Sequence, residues 1–201
     1  DKPFQFLAFC QEYAEAYQNP RFVSHLPVGL DGSCNGLQHF SAMLRDSVGG
    51  TATNLVNADI PADIYSEVAK VCTRKVNAPG VAMQTSQEWL DFFNKYGDGS
   101  VPRKLAKKPV MTLPYGATKY GCTDSIADFI RDTAPDHFGA SLFTAAFELT
   151  PPLWDSISEV VIAARGAMDW IQESSKYITA TGEPIKWITP TGFPVVQANY
   201  K

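Results

Sequence analysis

Apolar residues recur at helical spacing along residues 150–178, TPPLWDSISEVVIAARGAMDWIQESSKYI, where Leu153, Ile157, Val160, Val161, Ala164, Met168 and Ile171 make one stripe. A stripe of period 3.6 is buried only if the segment coils and lays that face on a core. One long helix is therefore predicted, with Pro151-Pro152 at its start, where missing amide donors cost least. The same spacing in 3–17 (Phe4, Leu7, Ala8, Tyr13, Ala14) predicts a helix ended by Asn19-Pro20. A strand, HLPVGL, should follow. Asp31-Gly32-Ser33 then reads as a strand-to-helix corner, its helix running through Leu37, Phe40 and Leu44 to a break at Gly49-Gly50. Pro61 suits the first turn of a helix over ADIYSEVAKVCTRKV, stopped by Asn77-Ala78-Pro79-Gly80, and another helix lies around 86–95. Pro109 and Pro114 should bend a helix over 102–120, and PIKWITPTGFPVVQANY predicts a hairpin about Pro190-Thr191-Gly192. The expected class is mainly α with small β elements (α+β).

With 201 residues, 45% of them hydrophobic, the chain can bury a core in one large or two small domains. Its net charge of −4 argues against a dedicated DNA-binding module. Averages hide patches, however: residues 101–120 hold Arg103, Lys104, Lys107, Lys108 and Lys119 and no acidic residue, a local surface fit to face phosphates. Cys10, Cys34, Cys72 and Cys122 lie too far apart for a zinc knuckle or redox pair and read as reduced thiols. There is no apolar run near the ~18 residues a membrane span needs, and no leader with a small-residue cleavage site, so a cytosolic setting is expected. The chain starts inside an apparent helix and stops just after GFPVVQANY, which reads as a piece of something longer.

Arg103 and Lys107 stand one turn apart, about 40° around a helix, with Tyr115 roughly 80° further, so one broad face can hold a triphosphate. Two basic residues at that spacing also describe a plain solvated face. Tyr115 before Gly116 either sets a ring against a sugar and base or anchors a helix end that the glycine caps in the left-handed conformation. Asp31 either supplies a carboxylate to magnesium or caps the helix that follows it. His39 reads as a packed histidine without a role, and Trp89, Trp154, Trp170 and Trp187 as core or hairpin aromatics.

Taken together, these stretches carry a resemblance. DGSCNGLQHFSAMLRD (31–46) resembles motif A of the single-subunit, phage-type DNA-directed RNA polymerases, and RKLAKKPVMTLPYG (103–116) resembles their motif B. PFQFLAFCQEYA, ADIYSEVAK, YGATKYG and WITPTGFPV are similar to further stretches of that family, so the likeness spans nearly the whole chain, weakest at 73–101 and 123–150. The resemblance implies part of a right-hand fold, with residues 1–47 in the palm and 48–201 in the fingers. It also implies transfer of ribonucleoside monophosphates from NTPs to an RNA 3′-hydroxyl, directed by a DNA template, by a monomeric enzyme with two magnesium ions. Asp31 and the Gly32 carbonyl would then hold metal, while Arg103 and Lys107 bind the triphosphate as charge grows on the leaving group. Tyr115 would sense the ribose 2′-hydroxyl, Tyr65 would lie near the nucleotide and template base, and Arg45 and Asp46 would pair as ions. Gly36 stands five residues after Asp31, where the related family A DNA polymerases place a glutamate, and a glycine there favours ribonucleotides by leaving room for a hydroxyl.

The family's motif C, with its histidine–aspartate pair, has no counterpart here, since Asp136 precedes His137. Motif C and the promoter-reading hairpin are expected beyond Lys201, and the 201 residues alone are not expected to polymerise RNA. Pro109, Pro114 and Cys122 depart from the residues common in phage relatives and bear on the helix path. Two alternatives stand: a family A DNA polymerase fragment, disfavoured by Gly36 and Met111, and a non-catalytic nucleic-acid-binding module of the same fold. HFSAMLRD and VMTLPYG look phage-like, which favours the cytoplasm of a bacterial host, from a phage or prophage, over a mitochondrion.

Overall fold

The structure, a computed structural model, describes residues 2–198 and divides into two compact units, the first ending at Gly32 and the second beginning at Ser33. The first is built on helix α1, Pro3–Gln18, which opens with proline at its first turn and ends where Asn19 turns extended. None of its side chains is buried. Glu12 accepts the Ser24 hydroxyl and the His25 N–H, the latter at 3.2 Å, and so folds the following segment back along the helix. The strand expected over 25–30 does not form. Pro27 has no amide to donate, and among the described residues the only sheet is elsewhere.

In the second unit, α2 (Asn35–Leu44) starts later than the sequence predicts. Its N-cap residue is Cys34, in the left-handed conformation at φ 66°, rather than Asp31; within the first unit the Asp31 carboxylate accepts the N–H of Gly32 at 2.8 Å. Nor do Gly49 and Gly50 end the helix. Arg45, at φ 53°, closes it, and Asp46 caps a new short helix α3 (Ser47–Ala52) that contains both glycines. A Cβ on Gly49 would collide with the Ser41 hydroxyl and the Asp46 carboxylate. Asp46 thus spends its charge on the Val48 N–H at 3.0 Å, and the expected Arg45–Asp46 ion pair is absent among the described residues.

Helix α4 (Ile64–Val76) begins at the Asp63 cap rather than at Pro61, and α5 (Ser86–Tyr96) follows as predicted. α5 carries Trp89, which meets Phe93 and Phe138 at 5.2 and 4.7 Å and donates its indole N–H to the Ala145 carbonyl at 3.2 Å. The expected bent helix over 102–120 is broken instead. α6 runs Arg103–Thr112 with Pro109 inside it, and a single 3-10 turn, Leu113–Tyr115, follows. Gly116, at φ 86°, ends that turn, and Thr118 caps α7 (Lys119–Thr133). Pro114 accounts for the break: without an N–H it cannot continue the ladder, and the chain tightens.

Residues 150–178 form two helices, α8 (Leu142–Val160) and α9 (Ile162–Ala180), separated at Val161. Pro151 and Pro152 therefore sit inside α8. Burial of Ala145, Ala146 and Leu149 before them and Leu153, Trp154 and Ile157 after them explains this, because packing against α4 and α7 outweighs the lost backbone bonds. The core lies mainly among α4 to α8, with Cys34 and Leu37 at the start of α2 and Ala164 of α9 entering it. Trp89 and Trp154 belong to this core, whereas Trp170 and His39 are exposed. The hairpin forms as predicted: β1 (Ile185–Ile188) pairs antiparallel with β2 (Pro194–Gln197), Trp187 opposite Val195, around a turn with Gly192 at φ 84°. Among the described residues, no helix is long and apolar enough to cross a membrane.

Candidate functional site

Helix α6 presents two faces. Leu105, Ala106, Pro109 and Val110 are buried, and between them Arg103, Lys104, Lys107 and Lys108 point to solvent, as the four-residue alternation demands. The four cations have different surroundings. Lys108 pairs with Asp128 at 3.0 Å, on the side facing α7. Arg103 and Lys107 turn toward α4 and share one aromatic ring: the guanidinium carbon lies 5.0 Å and the Lys107 Nζ 5.9 Å from the centre of Tyr65. Such contacts draw cations to the face of the ring.

Tyr65 is itself almost fully buried, and its hydroxyl hydrogen-bonds with the Cys34 thiol. Burial pushes both groups up from their ordinary pKa, so both stay protonated at neutral pH. Beside the ring, Asp63 binds Nε of Arg103 through Oδ2. Burial works to raise the Asp63 pKa, but hydrogen bonds from Arg103 and Ser66 outweigh it and hold the carboxyl below its usual range.

A second cluster surrounds Gly36, two residues beyond Cys34. A Cβ built there would lie 2.6 Å from Cγ of Pro114 and 3.2 Å from Cε2 of Tyr115. Only glycine lets α2 approach the 3-10 turn so closely. Pro114 is buried beneath, while Tyr115 keeps 74% of its surface exposed, with one ring edge against the helix. On the other side of the turn, α9 places Met168 and Gln172 beside Gly116. A single run of contacts thus leads from Arg103 and Lys107 through Tyr65, Cys34 and Gly36 to Tyr115.

The structure therefore brings together five of the sequence-predicted residues, though not on one helix face as the spacing implies, because Tyr115 has left the helix. Asp31 and Gly32 lie in the first unit. No cluster of three or more metal-ligating side chains occurs among the described residues. Sequence reasoning missed Asp63 and Cys34. An aspartate just before a helical run is an N-cap signal that finds the first, but nothing local marks the second.

All 201 residues match the family model described as DNA-dependent RNA polymerase. The chain is 36% identical over 206 residues to the mitochondrial DNA-directed RNA polymerase of Mus musculus, covering 100% of this chain and 16% of that protein. Against the human mitochondrial enzyme the figures are 37% identity, 98% of this chain and 16% of the relative. DNA-directed RNA polymerase 3, chloroplastic, of Nicotiana sylvestris is 37% identical over 100% of this chain and 21% of its own length. The chain belongs to the phage-type, single-subunit DNA-dependent RNA polymerase family. It spans about a sixth of the length of its mouse and human relatives.

Proposed function

We propose that this chain carries the nucleotide-binding half of a DNA-directed RNA polymerase site, which adds ribonucleoside monophosphates from NTPs to an RNA 3′-hydroxyl along a DNA template. One observation carries it: Arg103 and Lys107 share the Tyr65 ring on the exposed side of α6. A fork and a point charge held side by side suit the oxygens of a triphosphate. Tyr115, exposed and with one edge against Gly36, is the sugar-facing residue; the space beside Gly36, expected to leave room for a hydroxyl, is taken by Pro114 and Tyr115, so Gly36 bears on ribonucleotide choice through where that ring sits.

Residues 1–47 are assigned to the palm and 48–201 to the fingers, in a polymerase that works as a monomer on template, transcript and NTPs. Asp31 suits magnesium, which takes few protein ligands: the residue is exposed, and Gly32, whose carbonyl the family resemblance assigns to the metal, follows it in the chain. Bound there, two such ions would lower the pKa of the attacking 3′-hydroxyl and neutralise the pyrophosphate leaving group. HFSAMLRD and VMTLPYG support a phage or prophage source, and with it the cytoplasm of a bacterial host, as the proposed setting, against relatives that are organellar by name.

Lys107→Met in a polymerase carrying this segment tests the central assignment. Removing one charge that stabilises the transition state lowers kcat/KM for NTPs by about 100-fold or more. An unchanged kcat/KM would dismiss Lys107 from the site.

A further inference from the structure

Asp63 is engaged through both carboxylate oxygens. Oδ1 accepts the backbone N–H groups of Tyr65 at 3.2 Å and Ser66 at 3.4 Å, capping α4. Oδ2 accepts the Ser66 hydroxyl at 2.8 Å and Nε–H of Arg103, 40 residues away in sequence. A guanidinium has five N–H donors in a rigid plane, and engagement through Nε leaves its terminal edge able to grip a second anion in two-fold fashion. Tyr65 fixes that plane from below, and the Arg103 side chain remains 47% exposed. Lys107 shares the ring but has no carboxylate partner among the described residues. The carboxylate is thus paired with one of the two cations and leaves the other's charge uncompensated.

Resting on the triphosphate role given to Arg103 above, we propose that Asp63 is a positioning residue for that site. It holds Arg103 by Nε so that the terminal guanidinium edge faces outward beside Lys107, and it keeps that hold while phosphate oxygens bind. Asp63 itself touches no substrate. A carboxylate on the terminal edge would compete with phosphate; one on Nε does not, because the two anions take different donors. Its remaining bonds to Ser66 and the first turn of α4 keep the carboxylate still, and through it the arginine.

The test separates capping from positioning. Asp63→Ser keeps a capping oxygen for α4 but is too short to reach Arg103. In a full polymerase chain carrying this segment, it is expected to raise KM for NTPs about 5- to 10-fold, with kcat changed by less than about 2-fold and the thermal midpoint nearly unmoved. Arg103→Ala is expected to raise KM at least as much, and adding Asp63→Ser to it should raise KM no further, because the two residues act as one unit. An equal rise in both backgrounds would overturn the proposal, as would a normal KM in Asp63→Ser. A normal KM in Arg103→Ala would remove the triphosphate role of Arg103 and the proposal with it, so the two failures are told apart. Should Asp63→Ser fail to fold, Asp63→Asn, which caps and offers Nε a neutral acceptor, enters the same cycle with a smaller expected rise that again vanishes beside Arg103→Ala.

Discussion

The guanidinium of Arg103 lies over the ring of Tyr65, 5.0 Å from its centre, on a side chain whose hydroxyl is tied to Cys34. One ring therefore orients a cation on its face and an element of the neighbouring helix at its rim. Removing the rim bond and removing the face are separable by mutation.

Tyr65→Phe keeps the face and loses the hydroxyl. It should cost about 1 kcal/mol of stability, the worth of one buried hydrogen bond, and leave KM for NTPs close to wild type. Tyr65→Leu removes the cation–π contacts, each worth about 0.5–1 kcal/mol when exposed, and should raise KM several-fold. Denaturant melts and steady-state kinetics on the pair check this, and equal KM values for Phe and Leu would refute the platform role.

Gly36→Ala sets two terms against each other. Alanine gains about 1 kcal/mol in helix propensity, yet its Cβ would stand 2.6 Å from the buried Pro114 ring, and overpacking of that kind costs about 1–3 kcal/mol. Because proline cannot swing aside, the net expectation is a lower melting temperature together with a displaced Tyr115. A stabilised variant with normal nucleotide selectivity would show that the turn gives way freely.

Tyr115→Phe leaves the ring edge on Gly36 in place and deletes only the hydroxyl. Discrimination against deoxynucleotides should relax while stability holds, because the hydroxyl belongs to a residue 74% exposed. The ratio of kcat/KM for ribo- and deoxynucleotides is the measurement, and an unaltered ratio would take Tyr115 out of sugar sensing.

Acid should unfold the chain. Asp128 and Glu159 are held below the usual carboxylate range by hydrogen bonds from Lys108 and Lys75 respectively. For Glu148, burial works to raise the pKa, and hydrogen bonds from Thr85 and the Gln84 and Thr85 amides outweigh it. Asp63 is lowered in the same balance. A pKa depressed in the folded state adds stability that is present above the unfolded value and lost as pH falls through the folded one. Unfolding free energy from urea melts should thus hold between pH 7 and about 5 and decline below about 4. Glu148→Gln should flatten part of that decline, and a curve level down to pH 2 would contradict the account.

Where structure is set by neighbours in sequence, it was readable in advance. The extent of α1 and the hairpin about Gly192 follow from an apolar spacing stopped at Asn19-Pro20 and from a turn glycine, and α5 lies where a helix around 86–95 is expected. Tertiary forces decided the rest. The prolines of α8 looked like a beginning because local rules put them there, and burial on both sides overruled those rules. Asp31 looked like a cap because nothing local revealed that Cys34 takes that place in a left-handed conformation. Family resemblance named Arg103, Lys107, Tyr65, Gly36 and Tyr115, but only coordinates join them, since Asp63 to Arg103 and Gly36 to Pro114 are pairings between distant segments.

The contact between Gly36 and Tyr115 is made by the lack of a side chain. A helix that shows only backbone at one point offers a ring nothing to interlock with, so the aromatic edge rests on a smooth bearing rather than in a socket. Dispersion contacts of about 0.1–0.2 kcal/mol each hold it there. Tyr115 can swing off α2 by giving up a few of these while no side chain of the helix has to change rotamer. On the function proposed above, in which this segment belongs to the fingers and takes up and releases a nucleotide at every step, such a surface would let a moving part return to the same place each time.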